Sequence, residues 1–308
     1  MRAARIAAVL ILAVLALLPF VLPTFAVSIA TQVLIFAILA MSIDVLAGFA
    51  GRTSLGHGAI FGSATYVVLW WVSVQGGSVW LALPLAVLAA TALAAVFGAL
   101  ATRVSGVYFL LLTLALGMVV WGVCLRWTGV TGGENGLRGS IRPPQIADYR
   151  VFYEAVLAST SVLAYGIWRL VKSPFGLALR GIRDSESRMQ ALGFNVPLHL
   201  FVAFTASGFF AGSAGALYAM FNEFASPSTV SLGQSVRGLL MAITGGVGTV
   251  FGSLVGAALI VSLENLVSIY TARWQTVMGL IFIVLMLVAP DGLVSRFAQW
   301  VRPGQQRR

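Results

Sequence analysis

The sequence predicts an all-α, polytopic helical membrane protein, and two observations support this prediction. Of the 308 residues, 59% are hydrophobic and only 9% are charged, against about 25% charged in an average soluble domain. Apolar runs also recur along the chain, and several approach or exceed the ~17–20 residues that cross a bilayer core as a helix. We expect helices because an open sheet edge would leave its backbone groups unsatisfied in lipid.

Ten apolar stretches form the expected spans of a single transmembrane domain, residues 1–308. They lie at 6–23, 27–47, 58–74, 80–101, 106–125, 151–168, 197–221, 237–246, 250–269 and 274–290. With ten crossings both termini fall on one side, and the arginines of the short loops mark that side as cytoplasmic. The stretch at 237–246 is short, and a re-entrant segment there would lower the number of crossings to as few as eight.

The N-terminus also resembles a signal peptide, because Arg2 and Arg5 precede an apolar run. We expect an uncleaved first span, since the run is long.

Composition also excludes several function classes. The net charge of +10 is spread over loop ends, which does not favour nucleic-acid binding. The sole lysine, Lys172, lies in no P-loop pattern, so no ATP hydrolysis by that route is expected. The single cysteine, Cys124, is expected to be a small core residue.

A glycine-rich insert, GFAGRTSLGHGAIFG (Gly48 to Gly62), lies between two apolar spans. Its glycines destabilise a continuous helix, and irregular backbone at the membrane boundary is tolerated where protein or a water-filled cavity surrounds it. Transport proteins use such breaks to contact a substrate. A plain tight connection is the alternative. The candidate translocation and substrate residues are Asp44, Gly51, Arg52, Thr53, Ser54, Gly56, His57 and Gly58.

Two sets of residues in and around the spans have further interpretations. Ser54 and His57 suggest an intramembrane serine hydrolase, but residues three apart beside Gly56 need not meet, and catalysis is disfavoured. Intramembrane carboxylates point to function by default. For Asp44, which could pair with Arg52, a functional role and interfacial solvation both stay open, whereas interfacial solvation is the preferred interpretation for Glu154 and Glu264.

Two loops are long enough to have roles of their own. The outer loop, 126–150, contains TGGENGL and Pro143-Pro144 and is expected to be compact and rich in turns. The inner loop, 171–196, predicts an amphipathic helix of about 17 residues that binds a partner protein or lipid. Ser173 is expected to cap it before Pro174, and Gly193 to end it. The spacing also predicts i,i+4 pairs of Arg180 with Asp184 and of Asp184 with Arg188.

Several motifs occur together and in order between Ile35 and Leu293. They are SLGHGAIFGSATY, TGGENGL, SPFGLALRGIRDSESRMQALGFNV, AGSAGALYA, ITGGVGTVFGSLVGA and APDGL. Together they resemble the permease subunits of branched-chain amino-acid ABC importers, in particular the M-type subunit. Two departures are SESRMQ, where an acidic and alanine-rich run is usual, and Arg52, where glutamine is usual.

The resemblance implies a non-enzymatic permease in the bacterial inner membrane that binds no cofactor, with ATP and Mg on partner subunits. The implied partners are a second homologous permease, two cytoplasmic ATPases, a periplasmic binding protein and a hydrophobic amino acid. Residues 173–195 would form the cytoplasmic coupling helix, and Ser54 to Gly58 would line or support the path. The implied coupling residues are Ser173, Pro174, Phe175, Gly176, Leu177, Arg180, Arg183, Asp184, Arg188, Leu192 and Gly193. Docking of the binding protein would involve Gly132, Gly133, Glu134, Asn135 and Gly136.

Two alternatives stay open. One is a permease for urea or a short amide, and the other is an ion-coupled carrier that works alone.

Overall fold

A computed structural model describes residues 2–271, 273–288 and 292–293. The end of the last expected span, most of the APDGL motif and the arginines from 296 to 308 lie outside these residues. Thirteen α-helices and one short antiparallel strand pair make up the regular structure of the described chain. The helices are α1 (Arg2–Val21), α2 (Thr24–Asp44), α3 (His57–Leu69), α4 (Val79–Ala101), α5 (Val107–Arg126), α6 (Thr128–Thr131), α7 (Tyr149–Lys172), α8 (Pro174–Asp184), α9 (Glu186–Ala191), α10 (Val196–Asn222), α11 (Leu232–Gly245), α12 (Val250–Tyr270) and α13 (Trp274–Val288).

Seven helices of the described chain are long and apolar enough to cross a membrane, which confirms a polytopic helical membrane protein. They comprise α2 to α5, α7, α10 and α12, with α2 and α3 each extended by a π-helical segment. Every one of the ten expected stretches coincides with a helix. However, α11 has 14 residues and is about 21 Å long, which is short for a hydrocarbon core of about 30 Å. The re-entrant alternative therefore stays open.

Contacts between connections divide the bundle into two ends. One end contains the connections α2–α3, α4–α5, α7–α10 and α11–α12, and we call it the insert end because it includes the glycine-rich insert. The opposite end contains the connections α3–α4, α5–α7 and α10–α11, and we call it the loop end. A contact of Arg52 with Val104 joins two connections of the insert end.

Helix α2 lies at the centre of the bundle, and every residue from Leu34 to Asp44 is buried. Small residues let the other helices approach closely. A Cβ on Gly208 or Gly212 of α10 would collide with the alanines of α4, and one on Gly256 of α12 would collide with the Met241 carbonyl of α11. These glycines therefore let the helices pack closely, as small residues do at helix–helix contacts in membranes. Cys124 is buried, as expected.

The outer loop folds against the connection between α10 and α11. Strand β1 (Leu137–Arg138) pairs with β2 (Phe224–Ala225), and Gly139 N donates to Glu223 O at 3.2 Å. Asp148 accepts a hydrogen bond from Arg150 N at 2.9 Å and caps α7. The loop is thus compact and rich in turns, as expected.

Candidate functional site

The glycine-rich insert contains a shorter irregular segment than its five glycines suggest. Helix α2 continues as a π-helix over Val45–Ala50, and Gly51 ends it in the left-handed region with φ 69°. Helix α3 already begins at His57. π-Helical segments are rare and occur often at functional sites. The break therefore consists of a wide helical turn and the six residues 51–56.

Asp44 lies at the end of α2 and is buried. Its Oδ1 accepts a hydrogen bond at 2.7 Å from the backbone N–H of Gly248, in the turn between α11 and α12, while Oδ2 has no partner. The possible pair of Asp44 with Arg52 does not form. The π-helix and the left-handed Gly51 lie between the two residues, and Arg52 points to another partner.

Arg52 forms an ion pair with Glu186 of α9, and its side chain is only 6% exposed. The guanidinium also lies 5.7 Å from the ring centre of Phe109 on α5 and contacts the Val104 carbonyl at 3.5 Å. Arg52 therefore joins the insert to the inner loop and to the α4–α5 connection. Thr53 beside it is half-buried.

Ser54 and His57 do meet, contrary to the expectation that they need not. Ser54 Oγ lies 3.2 Å from His57 Nδ1, and His57 Nε2 lies 2.6 Å from Ser207 Oγ on α10. Ser207 donates its own hydrogen to Ser42 O, so it accepts from Nε2, and Ser54 then donates to Nδ1. All three side chains are fully buried. The chain of hydrogen bonds joins α2, α3 and α10 and leaves no approach for a substrate to Ser54.

Gly56 and Gly58 complete the insert by close packing. Gly58 N donates to Ser235 Oγ of α11 at 2.8 Å. A Cβ on Gly58 would press on the backbone of Ser235, and one on Gly56 would press on Phe97. These two glycines bring α3 against its neighbours.

The inner loop forms two helices instead of the single helix of about 17 residues that was expected. Ser173 caps α8 by accepting from Gly176 N at 3.3 Å, and Gly193 adopts φ 87°, as predicted. Ser185 interrupts the helix with extended backbone and caps α9 by accepting from Arg188 N at 3.4 Å. We call residues 173–195 the coupling segment.

Neither of the two expected i,i+4 pairs forms. The interruption at Ser185 separates Asp184 from Arg188, whereas Arg180, in the same helix as Asp184, lies over the ring of Phe49 instead. Neither Arg180 nor Arg188 pairs with Asp184, which contacts its neighbour Arg183 at 3.4 Å instead. The Asp-Ser-Glu sequence contains a second helix start, since serine followed by a glutamate is common at an N-terminus. This signal could have predicted the break.

Three contacts attach the coupling segment to the insert. Arg183 Nη1 donates to Gly48 O at 2.7 Å, Arg180 lies 5.0 Å from the ring centre of Phe49, and Glu186 pairs with Arg52. Gly51 packs directly on the Arg183 side chain. Sequence reasoning assigned the insert and the coupling segment to separate roles, but the structure brings them together.

Other residues of the coupling segment divide between two faces. Leu177 and Leu192 are exposed, whereas Ile182 and Met189 are buried against the bundle. Phe175 stacks on His199 at 5.8 Å between ring centres. A Cβ on Gly176 would collide with the Val171 backbone, so α8 turns sharply from α7. Leu177 and Leu192 therefore remain exposed on the coupling segment, as does Phe194.

The TGGEN turn of the outer loop is held by backbone geometry. Gly132, Gly133 and Gly136 have positive φ values, and a Cβ on Gly136 would collide with the Ala225 carbonyl. Glu134 and Asn135 are exposed at the loop end. The structure thus presents these two polar side chains on a rigid turn.

The intramembrane carboxylates differ from expectation at one position. Glu264 of α12 forms an ion pair with Arg237 of α11, so interfacial solvation is not its environment. The sequence contained an indication of this ion pair, because opposite charges occur on two consecutive apolar helices joined by a tight turn. Glu154 has a buried carboxylate oxygen without a hydrogen-bond partner.

Comparison with known proteins decides the family. A family model described as the permease component of branched-chain amino acid transport systems matches residues 25–289. The chain belongs to this family. As a member, it is a multi-pass membrane protein and a permease component of a transport system, which confirms the resemblance and the expected class of function.

Three relatives illustrate the range of the family. The high-affinity branched-chain amino acid transport system permease protein LivM of Salmonella typhimurium is 28% identical over 303 residues, which cover 90% of this chain and 71% of the relative. The high-affinity branched-chain amino acid transport system permease protein LivH of Escherichia coli K12 is 23% identical over 293 residues, which cover 85% of this chain and 91% of the relative. The autoinducer 2 import system permease protein LsrC of Klebsiella pneumoniae is 25% identical with coverages of 59% and 54%. No solved structure matches the chain significantly.

Proposed function

We propose that this permease component imports branched-chain or other hydrophobic amino acids through the bacterial inner membrane by alternating access. ATP and Mg²⁺ would bind to two separate cytoplasmic ATPase subunits, and this chain would perform no covalent chemistry. Similarity to both LivM and LivH supports a pair with a second homologous permease. A periplasmic binding protein would deliver the amino acid to the loop end.

The observation that carries the proposal is the hydrogen bond from Arg183 to the Gly48 carbonyl at 2.7 Å. It connects an amphipathic segment outside the spans to the irregular backbone at the end of the central helix. A plain connection between two spans would have no need of such a joint. An ion-coupled carrier working alone gives no reason for an exposed apolar face at Leu177 and Leu192.

In this mechanism, closure of the ATPase dimer displaces the coupling segment toward the bundle. Arg183 transmits that displacement to the π-helix, and Gly48 lies directly against Gly248, so the α11–α12 turn moves with it. Through Glu186 and Arg52, the same displacement reaches the α4–α5 connection. The insert is therefore a junction from which motion reaches two pairs of helices.

Charge reversal at the joint tests this mechanism. Arg183→Glu removes the donor to Gly48 and places an acid against a carbonyl oxygen. Because hydrogen bonds of charged groups contribute about 1.5–3 kcal/mol, coupled uptake should fall by tenfold or more. The measurements are leucine uptake by the reconstituted transporter and co-purification of the ATPases.

Arg273→Glu, an exposed position at the loop end, serves as the charge-reversal control. Unchanged uptake and unchanged ATPase co-purification in Arg183→Glu would refute the coupling role. Competition of labelled leucine uptake by alanine and by urea tests the substrate class. Competition by urea alone would favour the amide permease, and uptake driven by a proton gradient without ATP would favour the stand-alone carrier.

A further inference from the structure

A second charged site lies inside the bundle, near the loop end and away from the insert. Arg237 of α11 donates from Nη2 to Oε2 of Glu264 on α12. Arg237 is five residues from the start of α11, and Glu264 is six residues from the end of α12. Both residues therefore lie about 8–9 Å along their helices from the loop end. Among the described residues, the other two ion pairs, Arg52–Glu186 and Arg183–Asp184, belong to the insert end.

Aromatic and amide side chains surround this pair. The Arg237 guanidinium carbon lies 4.2 Å from the ring centre of Phe36 on α2, and Tyr218 of α10 packs edge-on against the same ring at 5.6 Å. Next to Glu264, Asn265 donates to Gln32 of α2 at 3.0 Å. Four helices thus contribute to a site that combines two opposite charges with an apolar aromatic wall.

The ion pair is partly exposed, and one of its hydrogen-bond donors has no partner. The side chains of Arg237 and Glu264 are 22% and 14% exposed. Arg237 Nε is buried and has no hydrogen-bond partner, so the guanidinium carries one unsatisfied donor, which a carboxylate would reach only when Glu264 moves aside. Charged side chains within spans almost always face the bundle interior or a water-filled cavity, because exposure to hydrocarbon is costly. We therefore expect the open edge of the pair to face a polar route through the assembly.

We propose that Arg237 and Glu264 form a binding subsite for the zwitterionic head of an α-amino acid as it passes through the permease. This proposal rests on the proposed function and assigns the charge class of the substrate. The substrate carboxylate would bind to the Arg237 guanidinium, and its ammonium group would bind to the Glu264 carboxylate. The apolar side chain of the substrate would pack beside Tyr218, which is partly exposed, whereas the ring of Phe36 is fully buried.

Charge conservation explains why a zwitterion suits this pair. Separating two partly buried charges leaves each one uncompensated, which is strongly unfavourable. A zwitterion supplies one opposite charge to each partner, so the pair opens with no net loss of ion pairing. Urea and short amides have no charges and would not compensate either residue. The same pair would therefore reject the neutral substrates that the sequence left as an alternative.

Equilibrium binding to the permease–ATPase complex tests the site directly. The complex is purified in nanodiscs without the binding protein, and three probes are compared: L-leucine, N-acetyl-leucine, which retains only the carboxylate, and leucinamide, which retains only the ammonium group. The wild type should prefer L-leucine over both analogues. Glu264→Gln and Arg237→Gln should each weaken L-leucine binding by about 10- to 100-fold, because each removes one charged hydrogen bond.

The decisive result is a gain of binding. In Glu264→Gln the guanidinium loses its internal partner, so N-acetyl-leucine should bind about tenfold more tightly than it does to the wild type. In Arg237→Gln the Glu264 carboxylate loses its internal partner, so leucinamide should bind more tightly than it does to the wild type. A damaged fold cannot make each variant bind a different analogue more tightly. Size-exclusion chromatography shows whether the complex has assembled and so identifies a variant that has failed to fold. If one variant fails to fold, the other decides alone.

Glu154→Gln serves as a matched control, because it also neutralises an acid within a span but lies on α7 and pairs with no arginine of the described chain. Its three affinities should equal those of the wild type. Absence of leucine binding to the wild-type complex at millimolar concentration, or equal losses for all three probes in Glu264→Gln, would overturn the subsite. Neither result would refute the proposed function. That function would be refuted if the complete transporter showed no ATP-driven leucine uptake.

Discussion

At the loop end, backbone groups hold the connections together, whereas at the insert end arginine side chains do so. Strand β1 pairs with β2 at the loop end, and Gly139 bonds to Glu223. At the insert end, Arg183 reaches the carbonyl of Gly48, and Arg52 reaches Glu186. Side-chain joints can break and form again by rotation about single bonds, while a backbone ladder moves as a unit. The difference teaches that the insert end is suited to transmit motion and the loop end to present a fixed surface.

The largest loss of stability is expected from adding a side chain at Gly48, where the insert end has no free space. A Cβ on Gly48 would collide with the Gly248 backbone and with Asp44 Oδ1, so Gly48→Ala must push the α11–α12 turn away. Overpacking together with loss of the Asp44 hydrogen bond should cost about 3 kcal/mol or more. The measurements are the apparent melting temperature of the purified transporter and leucine uptake.

Gly129→Ala is the matched control for that substitution. Gly129 lies in α6 at the loop end, where an added Cβ meets no atom within 4 Å. A wild-type melting temperature and wild-type uptake for Gly48→Ala would show that the insert end yields easily, and the comparison between the two ends would then fail.

A smaller loss of stability is expected from replacing Arg142, an arginine whose side chain joins the outer loop to α10. Arg142 donates to Met220 O at 3.2 Å and lies 4.3 Å from the ring centre of Phe152. Arg142→Ala removes one hydrogen bond and the cation–π contact, so we expect about 1–3 kcal/mol of lost stability. Backbone pairing of β1 with β2 should nevertheless keep the loop in place.

Limited proteolysis of residues 126–150 measures whether the loop has been released. Slow cleavage, close to the wild-type rate, is expected in Arg142→Ala. Rapid cleavage would contradict the view that backbone groups dominate at this end. The alanine variant of Arg138, which stacks on Phe224 at 5.5 Å, provides an exposed control.

The smallest effect on stability is expected from neutralising the partner of Arg52. Glu186 is 39% exposed and its glutamine variant keeps a hydrogen-bond acceptor, so Glu186→Gln should cost about 1 kcal/mol. Its effect on coupling should be larger than its effect on stability. We expect more ATP hydrolysed per leucine transported, because motion of the coupling segment no longer reaches Arg52 in full.

Asp148→Asn is the control for loss of an acidic side chain. Asp148 is exposed at the loop end, and asparagine keeps the side-chain oxygen that caps α7. The ratio of ATP hydrolysed to leucine transported should stay at the wild-type value. Equal ratios in both variants would remove Arg52 and Glu186 from the coupling route.

Local features of the sequence were sufficient for much of the fold. The ten apolar stretches all coincide with helices, and the Ser173 cap and the left-handed Gly193 were placed correctly, since each depends on a few neighbouring residues. The break at Ser185 could have been predicted from its own capping signal. The count of crossings depends on how deeply α11 enters the membrane, which its length alone does not decide.

The candidate site was only partly predictable. The residues of the insert were identified from their glycines, but Asp44 and Arg52 were considered a possible pair because they are close in sequence. Their real partners, Gly248 and Glu186, are 204 and 134 residues away. Likewise, the three-position spacing of Ser54 and His57 gave no indication of Ser207, which completes their hydrogen bonds.

The sequence by itself determined that this chain spans a membrane as a helical bundle, where its apolar helices lie along the chain, and to which family it belongs. Hydrophobic periodicity, caps and ordered motifs are local properties, and each can be read without knowing the packing. Only the tertiary structure decided which charges meet, that Arg183 holds Gly48, and that Arg237 and Glu264 form a pair. Those contacts depend on how distant helices pack, and a charge buried in lipid takes whichever partner the packing brings within reach.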